Sequence, residues 1–345
     1  MQKLFDDIEL ELKRALPDNV DLKWIENVNT KSFEYDLSNQ FDKIIEPAAD
    51  LVYRGGKRWR PLLMVLTASM IGNKDSYEKA VKLSPLVELP HNGSLIIDDI
   101  EDQAVLRRGK EAIHLLHGVD LAINGGNLLY YLPTYLIDQI DLPVEKKLNL
   151  YKIYSTYMRK IHLGQGLDIL WHKDLKFIPT VESYQIMCRL KTGCLAAMGA
   201  SLGATIGTDN QNLILQSGEL AEKVGLAFQI IDDLINLESG NVGKNRGDDI
   251  VENKKSLPII LYATRFADQR KALFELFEEA RKDGYEKSKD KIYSFIEQIE
   301  QSGILKEVKT YANTLLTEIV KEIKSLYKES KERSIYIEMV SNFIE

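Results

Sequence analysis

The sequence predicts an all-α fold in a single domain over residues 1–345, and three observations carry that reading. Apolar residues recur at intervals of three and four, as in Leu213, Ile214, Leu220, Ala221 and Val224. Stretches alternating with period two are few. Proline is scarce, at nine residues in the chain, and no Ser/Pro-rich tract or shift of composition marks a linker. Length alone would suggest two domains, but nothing in the sequence supplies the boundary.

Taken in order, the amino-terminal MQKLFDDIELELKRAL mixes both charges into an amphipathic helix, which is the pattern of a surface helix rather than a signal peptide. Turn chemistry breaks the helical pattern at Pro17-Asp18-Asn19, Arg54-Gly55-Gly56, Gly72-Asn73-Lys74-Asp75, Asp141-Leu142-Pro143, Phe177-Ile178-Pro179, Gly207-Thr208-Asp209-Asn210 and across 238–247. From Phe266 onward the pattern is charged and amphipathic, as expected of outer helices covering a core.

Composition excludes several classes. Hydrophobic residues make up 44% and charged residues 28%, the balance of a globular chain with a large core. A formal charge of −7 argues against nucleic acid as a partner. The two cysteines, Cys188 and Cys194, lie six apart on one predicted helix and so on different faces, which suits a reducing cytoplasm. The apolar run near 195–207 is too short and too rich in glycine and alanine to span a bilayer.

The chemistry concentrates in HNGSLIIDDIEDQAVLRRG at residues 91–109. On a helix Asp98 and Asp102 share a face. Carboxylates so placed repel unless a cation lies between them, and all-oxygen ligands with open positions suit Mg²⁺. Arg107 and Arg108 follow as bidentate donors for phosphate. Alone, such a motif reads more readily as a solvated acidic face balanced by the two arginines. A second copy changes that: FQIIDDLIN places Asp232 and Asp233 after another isoleucine pair, with Asn236 at i+4, 134 residues further on (232 − 98). That separation suits two helices facing each other across a shared cavity, as in carboxylate metal sites of helical bundles. GGKRWRP at 55–61 joins a flexible turn to three cations, of which Lys57 and Arg60 could clamp an anion. Lys191, Thr192, Lys244 and Lys254 add cations and a hydroxyl, while Gln165 and Asp168 form a polar patch that bonds metal waters or bridges helices.

These strings, with GQGLDILW at 164–171, KTG at 191–193 and GDDIVENKKSLP at 247–258, resemble the trans-prenyl diphosphate synthases over roughly residues 50–260. In detail the form is similar to the geranylgeranyl diphosphate synthases. The resemblance implies a helical bundle around a deep central cavity, usually a homodimer, using three Mg²⁺ ions, with Mn²⁺ as a substitute. Asp98, Asp102 and Asp232 would ligate metal, supported by Asp99 and Asp233. Arg107, Lys191 and Lys244 would hold the allylic diphosphate. Lys57, Arg60, His91 and Arg108 would hold isopentenyl diphosphate, and Thr192 and Gln229 would sit near the reacting carbons. Gly93 and Ser94, one turn before Asp98, are small where bulky aromatics would stop the product at fifteen carbons. A longer product is expected, with Tyr130 and Tyr131 as candidates for a lower floor. Asn236 stands where a third aspartate is usual, and Leu195-Ala196 where an aromatic is. Two rival readings are a class I terpene cyclase, against which the cations Lys57, Arg60 and Arg108 argue, and a non-catalytic subunit, against which the retention of both acidic motifs argues.

Overall fold

A computed structural model describes residues 1–29, 31, 35–240 and 245–343. Its helices are α1 (Gln2–Ala15), α2 (Leu22–Asn29), α3 (Ser38–Tyr53), α4 (Trp59–Ile71), α5 (Lys74–Leu83) and α6 (Pro85–Glu101). A short hairpin of β1 (Leu106–Arg107) and β2 (Lys110–Glu111) follows, then α7 (Ile113–His117), α8 (Val119–Tyr131), α9 (Tyr135–Gln139), α10 (Val144–Lys173), α11 (Val181–Cys188), α12 (Cys194–Gly207) and α13 (Gln211–Glu238). The chain continues through α14 (Asp248–Val251), α15 (Leu257–Arg265), α16 (Arg270–Asp283), α17 (Tyr285–Gln301), α18 (Ile304–Leu326) and α19 (Lys331–Ser341). The fold is therefore all-α, as the periodicity requires.

Two compact units are distinguished by contact density: residues 1–158, 195–219 and 326–336 form the first, and 159–194, 220–325 and 337–345 the second. In the first unit α4 is buried on every side from Trp59 to Ala68, which is why its sequence is apolar without a polar face. Gly203 of α12 lets that helix touch α4, since a Cβ there would lie 2.2 Å from the Met64 carbonyl oxygen. α1 is a true surface helix whose buried residues are Ile8, Leu12 and Ala15. Asn73 caps α5 by accepting from the Ser76 N–H at 3.1 Å. In the second unit Ile230, Leu234 and Leu237 of α13, Ile259 and Ile260 of α15, Phe277 and Ile296 are buried. No helix among the described residues is long and apolar enough to cross a membrane.

The sequence did not predict how α6 ends. Gln103 turns left-handed at φ 54, the Ala104 N–H reaches back to the Asp99 carbonyl at 2.9 Å, and the Gln103 N–H reaches Ile100 at 3.3 Å. That is the Schellman arrangement, with a non-glycine at the left-handed position. The arginine pair lies beyond the helix, on the β1–β2 hairpin, which pairs Arg107 with Lys110. Arg108 and Gly109 make its turn at φ 53 and 75, the signs of a type I′ turn.

Candidate active site

In the first unit the cations converge on α6. Arg58 is left-handed at φ 48 and its side chain is buried. Its guanidinium donates to Glu9 Oε1 at 2.6 Å, Glu88 Oε1 at 2.7 Å and the Val52 carbonyl at 2.6 Å. Glu88 Oε1 also accepts from Asn92 Nδ2 at 3.1 Å. Asn92 Oδ1 accepts from Arg108 Nη1 at 2.9 Å, and the same nitrogen donates to Leu51 O at 2.8 Å. Arg60 is buried, lies over the Trp59 ring at 4.4 Å and approaches His91 Nε2 at 3.4 Å. Burial, then the charges of Arg60, Arg108, Arg58 and Arg107, hold the His91 ring well below its usual pKa, so it is neutral and can accept. Burial also lowers Arg108 to about 10, which leaves it charged at neutral pH. Arg60, His91 and Arg108 are thus brought together, and Lys57 is exposed on the adjoining loop.

At the end of the same helix the Asp102 N–H bonds the Asp98 carbonyl at 2.9 Å, so the two aspartates stand one turn apart on a shared face. Asp99 is fully buried and accepts from Arg107 Nε at 2.8 Å and from Arg107 Nη2. Arg107 Nη2 also lies 3.7 Å from Asp98 Oδ2. Burial raises the Asp99 carboxyl, and Arg107 opposes that rise. Arg107 is therefore seated on the acids themselves, and Asp99 Oδ2 is buried without a hydrogen-bond partner.

The residues read as setting product length separate. A Cβ on Gly93 would lie 2.6 Å from the Gly126 carbonyl and 3.2 Å from Tyr130 Cε1. Gly93 is thus closely packed against α8. Ser94 is half-buried, its hydroxyl donating to the His91 carbonyl at 2.8 Å. Tyr130 is buried beside α6, whereas Tyr131 is 74% exposed.

In the second unit a polar relay runs behind the second motif. Thr192 Oγ1 donates to Gln229 Oε1 at 2.7 Å, and Gln229 Nε2 donates to Asp233 Oδ1 at 2.9 Å. Asp233 Oδ2 accepts from Tyr184 Oη at 2.6 Å and the Leu257 N–H at 3.1 Å. Burial and nearby Asp249 push the Asp233 carboxyl up to about 7 against those donors. Lys191 and Thr192 belong to a π-helical segment (Arg189–Gly193) between α11 and α12. Such segments recur at functional sites because they re-aim side chains. Gly193 lets this segment approach α13, where a Cβ would meet the Glu222 carbonyl at 2.8 Å. Lys191 Nζ pairs with Asp168 at 2.6 Å, and His172 lies 2.9 Å from the same carboxylate. Burial opposes the charge on Asp168, but Lys191 and His172 prevail and hold it well below the usual range. Asp168 is thereby a bridge from α10 to the Lys191 segment.

Asn236 is fully buried, with neither side-chain atom partnered. Lys254 pairs with Glu252 and lies 3.8 Å from Asp249, so acids of its own loop hold it. Lys244 lies outside the described residues. Among those described, no group of three or more His, Cys, Asp or Glu is poised to hold a metal. Sequence reasoning missed Glu88, Asn92 and Tyr184; the only signal for Tyr184 was its place two helical turns before Lys191.

A model of the polyprenyl synthetase family matches residues 42–296. A geranylgeranyl pyrophosphate synthase of Dictyostelium discoideum is 32% identical over 296 residues, covering 85% of this chain and 92% of that protein. A short chain isoprenyl diphosphate synthase of Methanocaldococcus jannaschii is 35% identical over 68% of this chain and 71% of its own. Among solved structures, a geranylgeranyl pyrophosphate synthetase from Pyrococcus horikoshii superposes with TM-score 0.84 at 24% identity, covering 100% of this chain and 98% of that one.

Proposed function

The chain belongs to the polyprenyl synthetase family, and from that membership we propose a trans-prenyltransferase that joins isopentenyl diphosphate to an allylic diphosphate, giving a linear all-trans prenyl diphosphate. The observation that carries the reading is the cluster of Arg60, neutral His91 and Arg108 gathered beside the same helix that ends in Asp98, Asp99 and Asp102. A site for two anionic substrates needs cations to bind one diphosphate and carboxylates to bind the counterions of the other. A terpene cyclase would have no use for the first group.

Asp98, Asp102 and Asp232 are assigned as ligands of Mg²⁺, three ions with substrate bound, and Asp99 and Asp233 as their supports. The donor set fits: the candidate ligands are hard carboxylate oxygens, and Mg²⁺ typically takes only one or two of these alongside substrate phosphates. When bound, the metal neutralises charge growing on the leaving diphosphate. Lys191, Arg107 and Lys244 are assigned to that diphosphate. Lys57, Arg60, His91 and Arg108 orient isopentenyl diphosphate so that its alkene faces the allylic carbon. Thr192 and Gln229, whose hydrogen bond fixes the amide orientation, lie beside the developing cation. Ile96 and Ile230 are each buried, and apolar residues of this kind would keep water from it.

The geranylgeranyl product, of twenty carbons, is supported by the small Ser94 and by relatives that carry that name. A homodimer is supported by exposed Leu115, Leu116, Val119, Ile123 and Tyr131 on α7 and α8. Two buried cysteines that form no disulfide accord with the cytoplasm, and residues 1–345 are taken as one functional domain. Incubation with labelled isopentenyl diphosphate and five-, ten- or fifteen-carbon starters tests the reading. A linear product that requires Mg²⁺ and disappears in Asp98→Asn and Asp232→Asn is expected. A cyclic hydrocarbon, or turnover only with a second protein, would overturn it.

A further inference from the structure

The basic turn that carries Lys57 and leads into Arg60 of α4 is fastened to the amino-terminal helix, and the fastening passes through one side chain. Arg58 occupies the position just before α4 in a left-handed conformation that a residue with a Cβ adopts only when its surroundings impose it. What imposes it is a buried guanidinium with three partners on three separate helices: Glu9 of α1, the Val52 carbonyl of α3 and Glu88 of α6. The Val52 and Glu88 contacts tie the loop to its immediate supports. Glu9 is different, because α1 lies ahead of the segment shared with the family model, which begins at residue 42.

Beyond Arg58 the contacts continue through Glu88 and Asn92 to Arg108. The turn glycine Gly56 packs against this chain, for a Cβ there would lie 3.2 Å from Arg108 Nη2. Loop, Arg58 and Arg108 therefore share one arrangement. Resting on the prenyltransferase reading given above, we propose that Glu9 is a positioning residue for the isopentenyl diphosphate site: by neutralising and orienting Arg58 it sets the turn that presents Lys57 and the start of α4 that presents Arg60. Without Glu9, the buried Arg58 Nε loses a charged acceptor at 2.6 Å. The guanidinium must then turn toward another acceptor, and the left-handed backbone it holds turns with it.

The claim separates the two substrates, which a general loss of stability would not. Glu9→Ala should raise KM for isopentenyl diphosphate about tenfold, the size of one lost charge-assisted hydrogen bond. KM for the allylic substrate and kcat should stay within about twofold. Glu9→Gln keeps an oxygen that Arg58 can reach and should bring KM back to within about threefold of the parent. Tyr77→Phe is the control, since Tyr77 bonds Asp7 of the same helix without touching the loop. It should lower Tm as Glu9→Ala does and leave KM for isopentenyl diphosphate within about twofold. Calorimetric titration of the metal-free full-length protein with inorganic diphosphate gives a readout that does not need turnover, and Glu9→Ala should bind about tenfold more weakly. An active parent with unchanged KM and unchanged diphosphate affinity in Glu9→Ala overturns the positioning role. So does a parallel rise in both KM values shared with Tyr77→Phe. A parent that binds diphosphate but makes no prenyl product overturns the enzymatic reading instead, while the titration still decides the role of Glu9.

Discussion

Replacing Gly93 by alanine sets two effects of known size against each other. In a helix interior the change normally stabilises by about 1 kcal/mol, because alanine has the better helix propensity. At residue 93 the added carbon would lie 2.6 Å from the Gly126 carbonyl oxygen, 3.1 Å from Leu129 Cβ and 3.2 Å from Tyr130 Cε1. The first of these is backbone and cannot rotate away, so α6 and α8 must separate by several tenths of an ångström. Overpacking of this kind costs about 1–3 kcal/mol. The net expectation is a loss of roughly 0–2 kcal/mol, or up to a few degrees in Tm for a chain of this length. Gly166 of α10 supplies the control, since a Cβ there meets nothing within 4 Å. Gly166→Ala should therefore show the propensity gain undisturbed. Thermal denaturation of both variants beside the parent decides the matter. A Gly93→Ala protein stabilised as much as Gly166→Ala would rule out the close contact between α6 and α8. The enzymology follows from the same geometry. Phenylalanine at 93 should unfold the protein before it reports on chain length.

Ser94→Phe is the informative length variant: it should shorten the product by at least one five-carbon unit while Tm holds, read by chromatography of the dephosphorylated alcohols. An unchanged product removes Ser94 from the cavity wall. His91 is held neutral, so KM for isopentenyl diphosphate should show no inflection near pH 6.5 in the parent or in His91→Gln. An inflection that vanishes in the variant would contradict the assigned neutral state. Lys255 is buried over the Phe277 ring at 4.2 Å, and burial lowers it from 10.5 to about 7. The unfolded chain thus binds more protons between about pH 7 and 10.5, and parental stability rises with pH across that window. Lys255→Met should be more stable than the parent at pH 7 by about 2–4 kcal/mol, below the full linkage value because the ring offsets part of the penalty. The advantage should fade toward pH 10 in urea titrations, and a difference that does not vary with pH would count against the buried charge.

The helices were legible because their apolar residues keep a period near 3.6, and the breaks at 54–56, 141–143 and 207–210 were legible because glycine, proline and asparagine mark them. The two acidic motifs and the basic turn could be read from residue type and spacing. The β1–β2 hairpin could not, since two-residue strands have no periodicity and Arg108 is a poor residue for a left-handed turn. Only the contacts from Arg108 to Leu51 and Asn92, which come from distant sequence, explain it there. The close neighbour of Gly93 was not legible for a related reason: a small residue marks open space or a close neighbour equally well, and α8 supplies the neighbour. The Thr192, Gln229, Asp233 and Tyr184 relay joins residues from separate helices, and no local pattern announces it.

The closing turn of α6 carries Asp98, Asp99, Glu101 and Asp102 and no basic residue. Aligned peptide dipoles make that end of a helix electronegative, so the acids stand where negative charge is least welcome. Arg107, returning from the hairpin, relieves part of the tension. The remainder is a standing field that draws cations to the helix end before any substrate arrives.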